Sequence, residues 1–257
     1  MATVYEKMTA IADAIREKTG ETKLLTLDDM ATDIPKVYDA GKKSQYDEFW
    51  DCLQFSGNRR DYVGTFSGRG WNEENFKPKY DIKPIKASYM FLNDYEWGSS
   101  NYNGIKDLPA CLERAGVTLD FSRCTSLTGV WSFSCVEHIG VVDTRKARLD
   151  QTFYYAGNLH TIDEIILLED GSQTFTNAPF GGCTSLANVT FTGCIGQNLS
   201  FSGSPALTYD SLMNIIGALK DYSGTSTTRT LTLHADAKAK LSDSDKAIAT
   251  QKGWTIA

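Results

Sequence analysis

Apolar residues near the start of the chain recur at helical spacing. Gaps of four, three and four residues separate the members of this stripe, which are Val4, Met8, Ile11 and Ile15. Such gaps place side chains on one narrow face of an α-helix. Thr3 and Glu6 match a capping box ahead of the stripe, and Gly20 suits the C-terminal cap. The pattern predicts an N-terminal helix with one apolar seam.

Two further helices are predicted before residue 55. One runs from Leu27 to Ile34, with Thr26 as its cap and Pro35 as its stop, and the other covers roughly residues 38–53. We therefore interpret residues 1–54 as a helical attachment or oligomerisation segment. Residues 55–85 are rich in Gly, Ser and Arg and then place prolines near aromatic residues, which predicts a loop-rich connecting layer.

A ten-residue pattern occurs three times within residues 86–206. It combines Phe, a small residue, Leu and a β-branched residue at fixed spacing, and it covers Phe121–Val130, Phe153–Ile162 and Phe180–Val189. Each copy leads into a β-branched or aromatic run. In leucine-rich repeats, a Leu-x-x-Val/Ile sequence leads into a short strand, and the strands of successive repeats stack in parallel.

If the copies stack as equal turns, equivalent side chains form ladders through the core. The expected ladders are Phe121–Phe153–Phe180, Leu127–Leu159–Leu186 and Val130–Ile162–Val189. The remaining shared position holds Cys124, Ala156 and Cys183, which is typical of a small buried side chain. The predicted fold class is α+β: the N-terminal helical segment, then an irregular leucine-rich-repeat-like β solenoid over residues 86–206.

The last segment, residues 207–257, predicts a C-terminal cap of helices and strands. An amphipathic helix covers "LTYDSLMNIIGALKDYSG", and "TRTLTLH" alternates like a half-buried strand. Ser242 and Asp245 match a second capping box, with Gly253 as terminator and "WTIA" as a final strand. Such a cap covers the core and the strand edges that the end of a repeat array would expose.

Composition narrows the possible partners. The 257 residues carry 26 Lys and Arg against 32 Asp and Glu, a net charge of −6, without a basic cluster. Nucleic acid is therefore not an expected partner, since phosphate binding needs a basic stripe. No apolar run approaches the roughly 18 residues of a membrane helix. No leader is visible at the N-terminus, so we expect a protein that works inside a cell or leaves it without one, for example by host lysis.

The six cysteines do not predict a metal site. No Cys-x-x-Cys pair occurs, and none of the three histidines stands at ligand spacing from a cysteine. We expect six free thiols, with Cys135 and Cys194 buried like the cysteines of the repeats. No metal and no cofactor are predicted.

No catalytic residues are predicted either. The three histidines, His138, His160 and His234, fit no Ser–His–Asp or Cys–His signature, and no phosphate-binding glycine loop occurs. Paired acids could cleave glycans, and the candidates are Asp143, Asp163–Glu164 and Glu169–Asp170. The simpler interpretation is that these carboxylates are solvated, and we expect the protein not to be an enzyme.

Two adjacent tyrosines are the candidate ligand-binding residues. Tyr154 and Tyr155 occupy variable positions of the second copy, where the third copy has Gly181 and Gly182. An aromatic face packs well on the apolar face of a pyranose ring, so such rings are typical of sugar-binding surfaces. The same pair could instead serve packing between turns.

The repeat resembles the BspA-type leucine-rich repeat of bacterial surface proteins. Residues 11–34, "IADAIREKTGETKLLTLDDMATDI", and residues 207–257 resemble segments of tail-associated proteins from phages and prophages of Gram-positive gut bacteria. The resemblance implies a fibre-like or receptor-binding-like protein of the virion tail, made in the cytoplasm of the bacterial host. It implies a structural and host-recognition component of a phage tail or tail-like particle.

The partners implied are other tail or baseplate proteins and a bacterial surface glycan or protein. The stripe of Val4, Met8, Ile11 and Ile15 would hold a homo-oligomer, most simply a trimer, although docking on another protein or packing within the chain would also bury it. The alternatives are a bacterial cell-surface adhesin with the same repeats and, less favoured, a tail enzyme that cleaves cell-wall or capsule glycans.

Overall fold

The computed structural model describes residues 105–257 continuously. Ahead of them it describes residues 81–84, 86–88 and 90–91, the backbone of residues 54–56, and residues 9, 11–13 and 16. The chain divides into two compact units, Met1–Leu53 and Gln54–Ala257. The division into four segments drawn from the sequence stays a prediction.

The first unit contains helical backbone at residues 9, 11–13 and 16. Within this stretch Ala12 is buried and Ile11 is half-buried. The other members of the predicted stripe, Val4, Met8 and Ile15, lie outside the described residues, as do the second and third predicted helices. The predicted oligomer interface therefore stays a prediction.

The largest sheet of the second unit has five short parallel strands. Their bounds are β1 (Gln54–Ser56), β2 (Lys86–Ser88), β3 (Ser126–Thr128), β5 (Arg148–Asp150) and β7 (Phe175–Thr176), in the order β1-β2-β3-β5-β7. The register aligns Ala87 with Leu127, Leu127 with Leu149, and Leu149 with Phe175.

A second sheet consists of the parallel strands β4 (His138–Asp143), β6 (Thr161–Ile166) and β8 (Asn188–Thr192). Its register aligns the buried side chains Ile139, Ile162 and Val189. Helix α1 (Leu108–Ala115) packs on the β4 side and helix α2 (Tyr209–Ala218) on the β8 side.

Side chains of α2 complete the outer edge of this second sheet. The amide of Val189 donates to Ser211 Oγ at 3.0 Å, and the amide of Phe191 donates to Asn214 Oδ1 at 2.7 Å. These contacts pair edge amides that would otherwise remain open to other chains.

Helix α1 was not predicted from the sequence, although its end signals are present. Asp107 caps it by accepting from the amide of Ala110 at 3.0 Å, Pro109 lies in its first turn, and Gly116 ends it in the left-handed region at φ 68°. The helix is only eight residues long and its apolar face is short, so periodicity alone does not reveal it.

The third sheet closes the C-terminal end. It contains β9 (Leu199–Phe201), β10 (Arg229–Leu233) and β11 (Trp254–Ile256), all parallel, with β10 in the centre. Two helices, α3 (Ala235–Lys238) and α4 (Asp243–Gln251), connect β10 to β11. The predicted capping box of Ser242 and Asp245 is confirmed at the start of α4, and the predicted strands at "TRTLTLH" and "WTIA" are confirmed as β10 and β11.

The prediction of an irregular leucine-rich-repeat-like β solenoid is wrong. The described strands form three separate small parallel sheets, which together with the helices give an α+β fold. Leu127 pairs with Leu149 rather than aligning with Leu159, and Ile139 rather than Val130 aligns with Ile162. The physical reason is that the copies are not equal turns: the first copy contains a strand of the five-stranded sheet, whereas the other two lead into β6 and β8.

Aromatic rings stack in one column through the core. It consists of Phe91, Trp131, Phe153, Phe180 and Phe201, with centroid separations of 5.9, 5.1, 5.0 and 4.7 Å along the series. Phe121, predicted to lie in this ladder, instead meets Trp131 edge-on, with 71° between the rings. Each fully buried Phe stabilises the fold by about 1.5–3 kcal/mol, and ring pairing adds ~1 kcal/mol.

The small shared positions are buried as predicted. Cys124, Ala156 and Cys183 have no exposed surface, and the Cys183 thiol donates to the carbonyl of Phe153 at 3.0 Å. The five described cysteines are all free, which confirms the thiol prediction for them, whereas Cys52 lies outside the described residues. Cys135 is buried as expected, but Cys194 is half-buried, so its predicted burial is wrong.

Candidate functional site

The candidate site lies on the turns that follow the stacked aromatic residues. Two positions after each of the last four column residues stand Phe133, Tyr155, Gly182 and Gly203. Phe133 and Tyr155, together with Tyr154, form an aromatic surface that we call the ledge. It includes both tyrosines predicted from the sequence, and also Phe133, which was not predicted.

The backbone of the ledge is held in the left-handed region. Phe133 has φ 53° and Tyr155 has φ 55°, and the equivalent residue of the next turn, Gly182, has φ 75°. Glycine adopts this conformation freely, whereas a bulky side chain costs ~1–3 kcal/mol there. Backbone bonds hold the turns, from the Phe133 amide to the Tyr154 carbonyl (3.2 Å) and from the Tyr155 amide to the Gly181 carbonyl (2.7 Å).

The three rings of the ledge contact each other directly. Phe133 and Tyr155 stack with centroids 5.3 Å apart and 6° between their planes. Tyr154 meets Tyr155 edge-on at 4.5 Å and Phe133 edge-on at 6.2 Å. Tyr155 is 53% exposed, while Phe133 and Tyr154 are half-buried. Within the described part of the chain, neither tyrosine hydroxyl has a hydrogen-bond partner.

Glycine backbone of the next turn packs directly against two of these rings. A Cβ on Gly181 would come within 3.0 Å of the Tyr154 ring, and one on Gly182 would come within 3.0 Å of the Tyr155 ring. A Cβ on Gly203 would lie 2.6 Å from the amide nitrogen of Gly182, so the following turn is equally close. Glycine at these positions therefore allows the backbone of the next turn to lie close to the rings without an intervening side chain.

This geometry suits a flat, amphipathic ligand. The exposed part of Tyr155 offers an apolar ring surface and, within the described residues, a hydroxyl that makes no hydrogen bond. A pyranose ring presents the complementary surface, with C–H groups on its face and hydroxyls at its edge. Among the described residues, the ledge contains no nucleophile and no acid–base pair.

The predicted catalytic candidates are engaged in local contacts elsewhere. Bonding to the Arg145 guanidinium lowers the pKa of Asp143, and bonding to Ser172 lowers the pKa of Asp170. Glu164 accepts a hydrogen bond from the Thr192 hydroxyl. A glycosidase needs a general acid with a raised pKa, and the shifts at Asp143 and Asp170 run the other way.

One histidine lies between two carboxylates on the second sheet. His138 is within hydrogen-bond distance of Asp163 through Nε2 and of Asp107 through Nδ1. Partial burial lowers the pKa of His138, but the hydrogen bonds and charges of Asp163 and Asp107 outweigh it, so the pKa is raised. The cluster joins β4 to β6 and to the start of α1, and it was not predicted from the sequence.

The described residues offer little other reactive or metal-binding chemistry. They contain no group of three or more His, Cys, Asp and Glu side chains placed to hold a metal ion. Burial raises the pKa of the Cys183 thiol to about 12, which leaves it unreactive as a nucleophile. Among the helices that the structure describes, none has the length and apolar character needed to span a membrane.

Comparison with protein-family models, with curated proteins and with solved structures finds no match for this chain. The resemblance to phage tail proteins therefore stays an expectation from the sequence.

Proposed function

We propose that the protein is a structural and host-recognition component of a phage tail or tail-like particle, and that the ledge binds a glycan of the bacterial surface. It acts by binding and carries out no reaction. The ring of Tyr155 packs on the apolar face of a pyranose, while the hydroxyls of Tyr154 and Tyr155 bond to its edge.

The observation that carries the proposal is the conformation of the ledge. Two consecutive turns hold Phe133 and Tyr155 at φ values of 53° and 55°, where the next turn uses glycine. Strained backbone at a partly exposed aromatic side chain is typical of binding sites, because stability alone favours glycine there. Burial does not explain Tyr155, since more than half of its surface is exposed.

The tail location is supported by the sequence resemblance at residues 11–34 and 207–257. Several copies on one particle would also explain how a small, shallow site can suffice. A single ring-stacking site binds weakly, but linked copies gain avidity when they engage the same surface together.

Binding to purified cell-wall polysaccharide and to whole cells of Gram-positive gut bacteria tests this function. We expect Tyr155→Ala to weaken binding at least tenfold and Tyr155→Phe to weaken it only a few fold, because the phenylalanine keeps the ring. Tyr209→Ala is the matched control, since Tyr209 is similarly exposed, at 46%, but lies on α2.

Two results would contradict the proposal. Equal polysaccharide binding by Tyr155→Ala and Tyr209→Ala would show that the ledge does not bind the polysaccharide. Binding to cells that survives glycan removal but not protease treatment would make the ligand a protein.

A further inference from the structure

A groove opens between the edges of two sheets, beside the ledge. It has a volume of about 280 Å³ and lies between β7 of the five-stranded sheet and β9 and β10 of the third sheet. The residues that line it are Phe175, Ala178, Pro179, Asn198, Leu199, Ser200, Thr230 and Thr232. We call it the seam groove.

The groove interrupts the strand pairing but not the core beneath it. Within the described residues β7 pairs with β5 and β9 pairs with β10, and no ladder joins β7 to β9. The aromatic column nevertheless continues across this point, because Phe180 and Phe201 stack with centroids 4.7 Å apart. The seam groove therefore lies where the described strands of the two sheets are not hydrogen-bonded to each other, while the core beneath it is continuous.

One side of the groove carries polar groups with unused hydrogen-bonding capacity. In the part of the chain that the structure describes, the side-chain hydroxyls of Thr230 and Thr232 make no hydrogen bond. Asn198 Oδ1 accepts from the amide of Thr230 at 2.9 Å, which leaves the amide NH₂ group of Asn198 available as a donor. The hydroxyl of Ser200, which already donates to Ser202 Oγ at 3.1 Å, adds a further polar atom.

The opposite side of the groove is apolar. Phe175 is half-buried and presents part of its ring, next to Ala178 and Pro179. A pocket with a few polar groups facing an aromatic surface is the usual arrangement for a ligand that is itself two-sided. None of the described residues that line the groove is charged, so an anionic or cationic group would lose hydration there without gaining a partner among them.

A short length of chain connects the groove to the ledge. Ala178 accepts a hydrogen bond from the amide of Gly181 at 2.9 Å, and Gly181 lies against the ring of Tyr154. The carbonyl of Pro179 also accepts from the amide of Phe153 at 2.9 Å, directly before Tyr154. Residues 178–181 thus border the groove at one end and the ledge at the other.

We infer that the seam groove is a second sugar subsite, specific for an uncharged pyranose of an oligosaccharide whose neighbouring unit stacks on the ledge. This inference rests on the proposed function of the ledge. The hydroxyls of Thr230 and Thr232 and the amide of Asn198 bond to the sugar hydroxyls, while the Phe175 ring covers its C–H face. The two subsites together make the protein prefer chains over single sugars.

The test uses the full-length protein and sized oligosaccharides prepared from the cell-wall polysaccharide, with affinity measured by calorimetry. Thr232→Val and Thr230→Val each remove one hydroxyl and keep the β-branched shape. We expect each to weaken binding of the longer oligosaccharides about two- to tenfold, the effect of one lost hydrogen bond, and to weaken binding of single sugars less, because single sugars can still bind at the ledge. Phe175→Leu should act in the same direction.

Thr190→Val is the matched control, because Thr190 is an exposed strand threonine on β8. A wild type that binds no polysaccharide overturns the proposed function and this inference with it. A wild type that loses affinity with Tyr155→Ala, but not with Thr232→Val or Phe175→Leu beyond the change seen for Thr190→Val, overturns the inference alone. Stronger binding of uronic-acid-containing than of neutral oligosaccharides would also overturn it.

Discussion

The Nε2 atom of His138 lies 2.9 Å from Oδ1 of Asp163, and its Nδ1 atom lies 3.2 Å from Oδ1 of Asp107. Ionised carboxylates only accept hydrogen bonds, so both ring nitrogens donate when the imidazole is protonated. The charged ring then joins the start of α1 to β4 and β6. The neighbouring ion pair, Lys106 with Glu137 at 2.9 Å, joins the residues just before α1 and β4.

Stability should therefore depend on pH through His138. Its folded pKa is raised above the usual 6.5, so its contribution is fully present below pH 6.5 and is lost as pH rises through the folded pKa. The side chain is 32% exposed, so the contribution should not exceed ~1 kcal/mol. Thermal unfolding of wild type and His138→Gln should differ most below pH 6.5 and converge as the pH rises above the folded pKa of His138. A difference that grows with pH would contradict this assignment.

Gly182→Ala should destabilise the protein by about 1–2 kcal/mol or more. Gly182 has φ 75°, and an added Cβ would lie 3.0 Å from the Tyr155 ring and 3.3 Å from its Cα. Gly157→Ala is the control, because its Cβ would meet nothing closer than the Thr184 hydroxyl at 3.6 Å. Urea unfolding measures both changes, and equal stability of the two variants would show that the turn around Gly182 is not tightly packed.

Tyr155→Gly should be more stable than Tyr155→Ala by ~1 kcal/mol. Both variants lose the ring, but only glycine adopts φ 55° without strain. The comparison isolates the backbone cost from the loss of ring contacts. Both variants should lose polysaccharide binding to the same extent. They should therefore differ in stability but not in binding. An alanine variant at least as stable as the glycine variant would show that the backbone at residue 155 is not strained. The proposed function would then lose this support.

The two tyrosines of the ledge could be found from the sequence because they replace a glycine pair in an otherwise similar copy. Phe133 could not be found in this way. The repeat pattern starts its first copy at Phe121, whereas the residue that stacks in the aromatic column is Trp131. Aligned on the column, Trp131 and Phe133 show the same two-residue step as Phe153 and Tyr155. Which aromatic residue stacks is decided by packing against distant turns, and local spacing does not carry that information.

The sequence also does not show which strands belong to the same sheet. The pattern located β6, β8, β10 and β11, because each is a run with β-branched residues bounded by turn signals. It did not show that Leu127 pairs with Leu149, since the residues around Leu149 match no copy of the repeat. The seam groove depends on the spacing between two sheet edges, which is a tertiary property, and no motif in the sequence marks it.

Thiol reactivity should separate the cysteines by burial. Denatured protein should show six free thiols by titration under non-reducing conditions. In the native protein Cys194, which is half-buried, should react ahead of Cys183, whose pKa burial raises to about 12. Cys194→Ser should therefore remove one fast-reacting thiol, whereas Cys183→Ser should leave the fast phase unchanged. Three disulfides in the denatured, non-reduced protein would contradict the core-thiol interpretation.

The N-terminal unit is expected to make the protein a homo-oligomer, most simply a trimer. The apolar stripe is too short to be stable as a lone helix in water, so its seam must be buried against another surface. Within the described residues, helical Ile11 is half-buried and belongs to the stripe, whereas helical Thr9 is exposed. Light scattering should give about three times the chain mass of 28.4 kDa.

Ile11→Asp should reduce that mass to the monomer value, because a carboxylate in an apolar seam between copies loses its hydration. Thr9→Asp places the same charge on an exposed position nearby and should leave the oligomer intact. Circular dichroism of both variants checks that residues 54–257 stay folded. A wild type that is monomeric at micromolar concentration would exclude the trimer and leave packing within the chain, or docking on another tail protein, to bury the stripe.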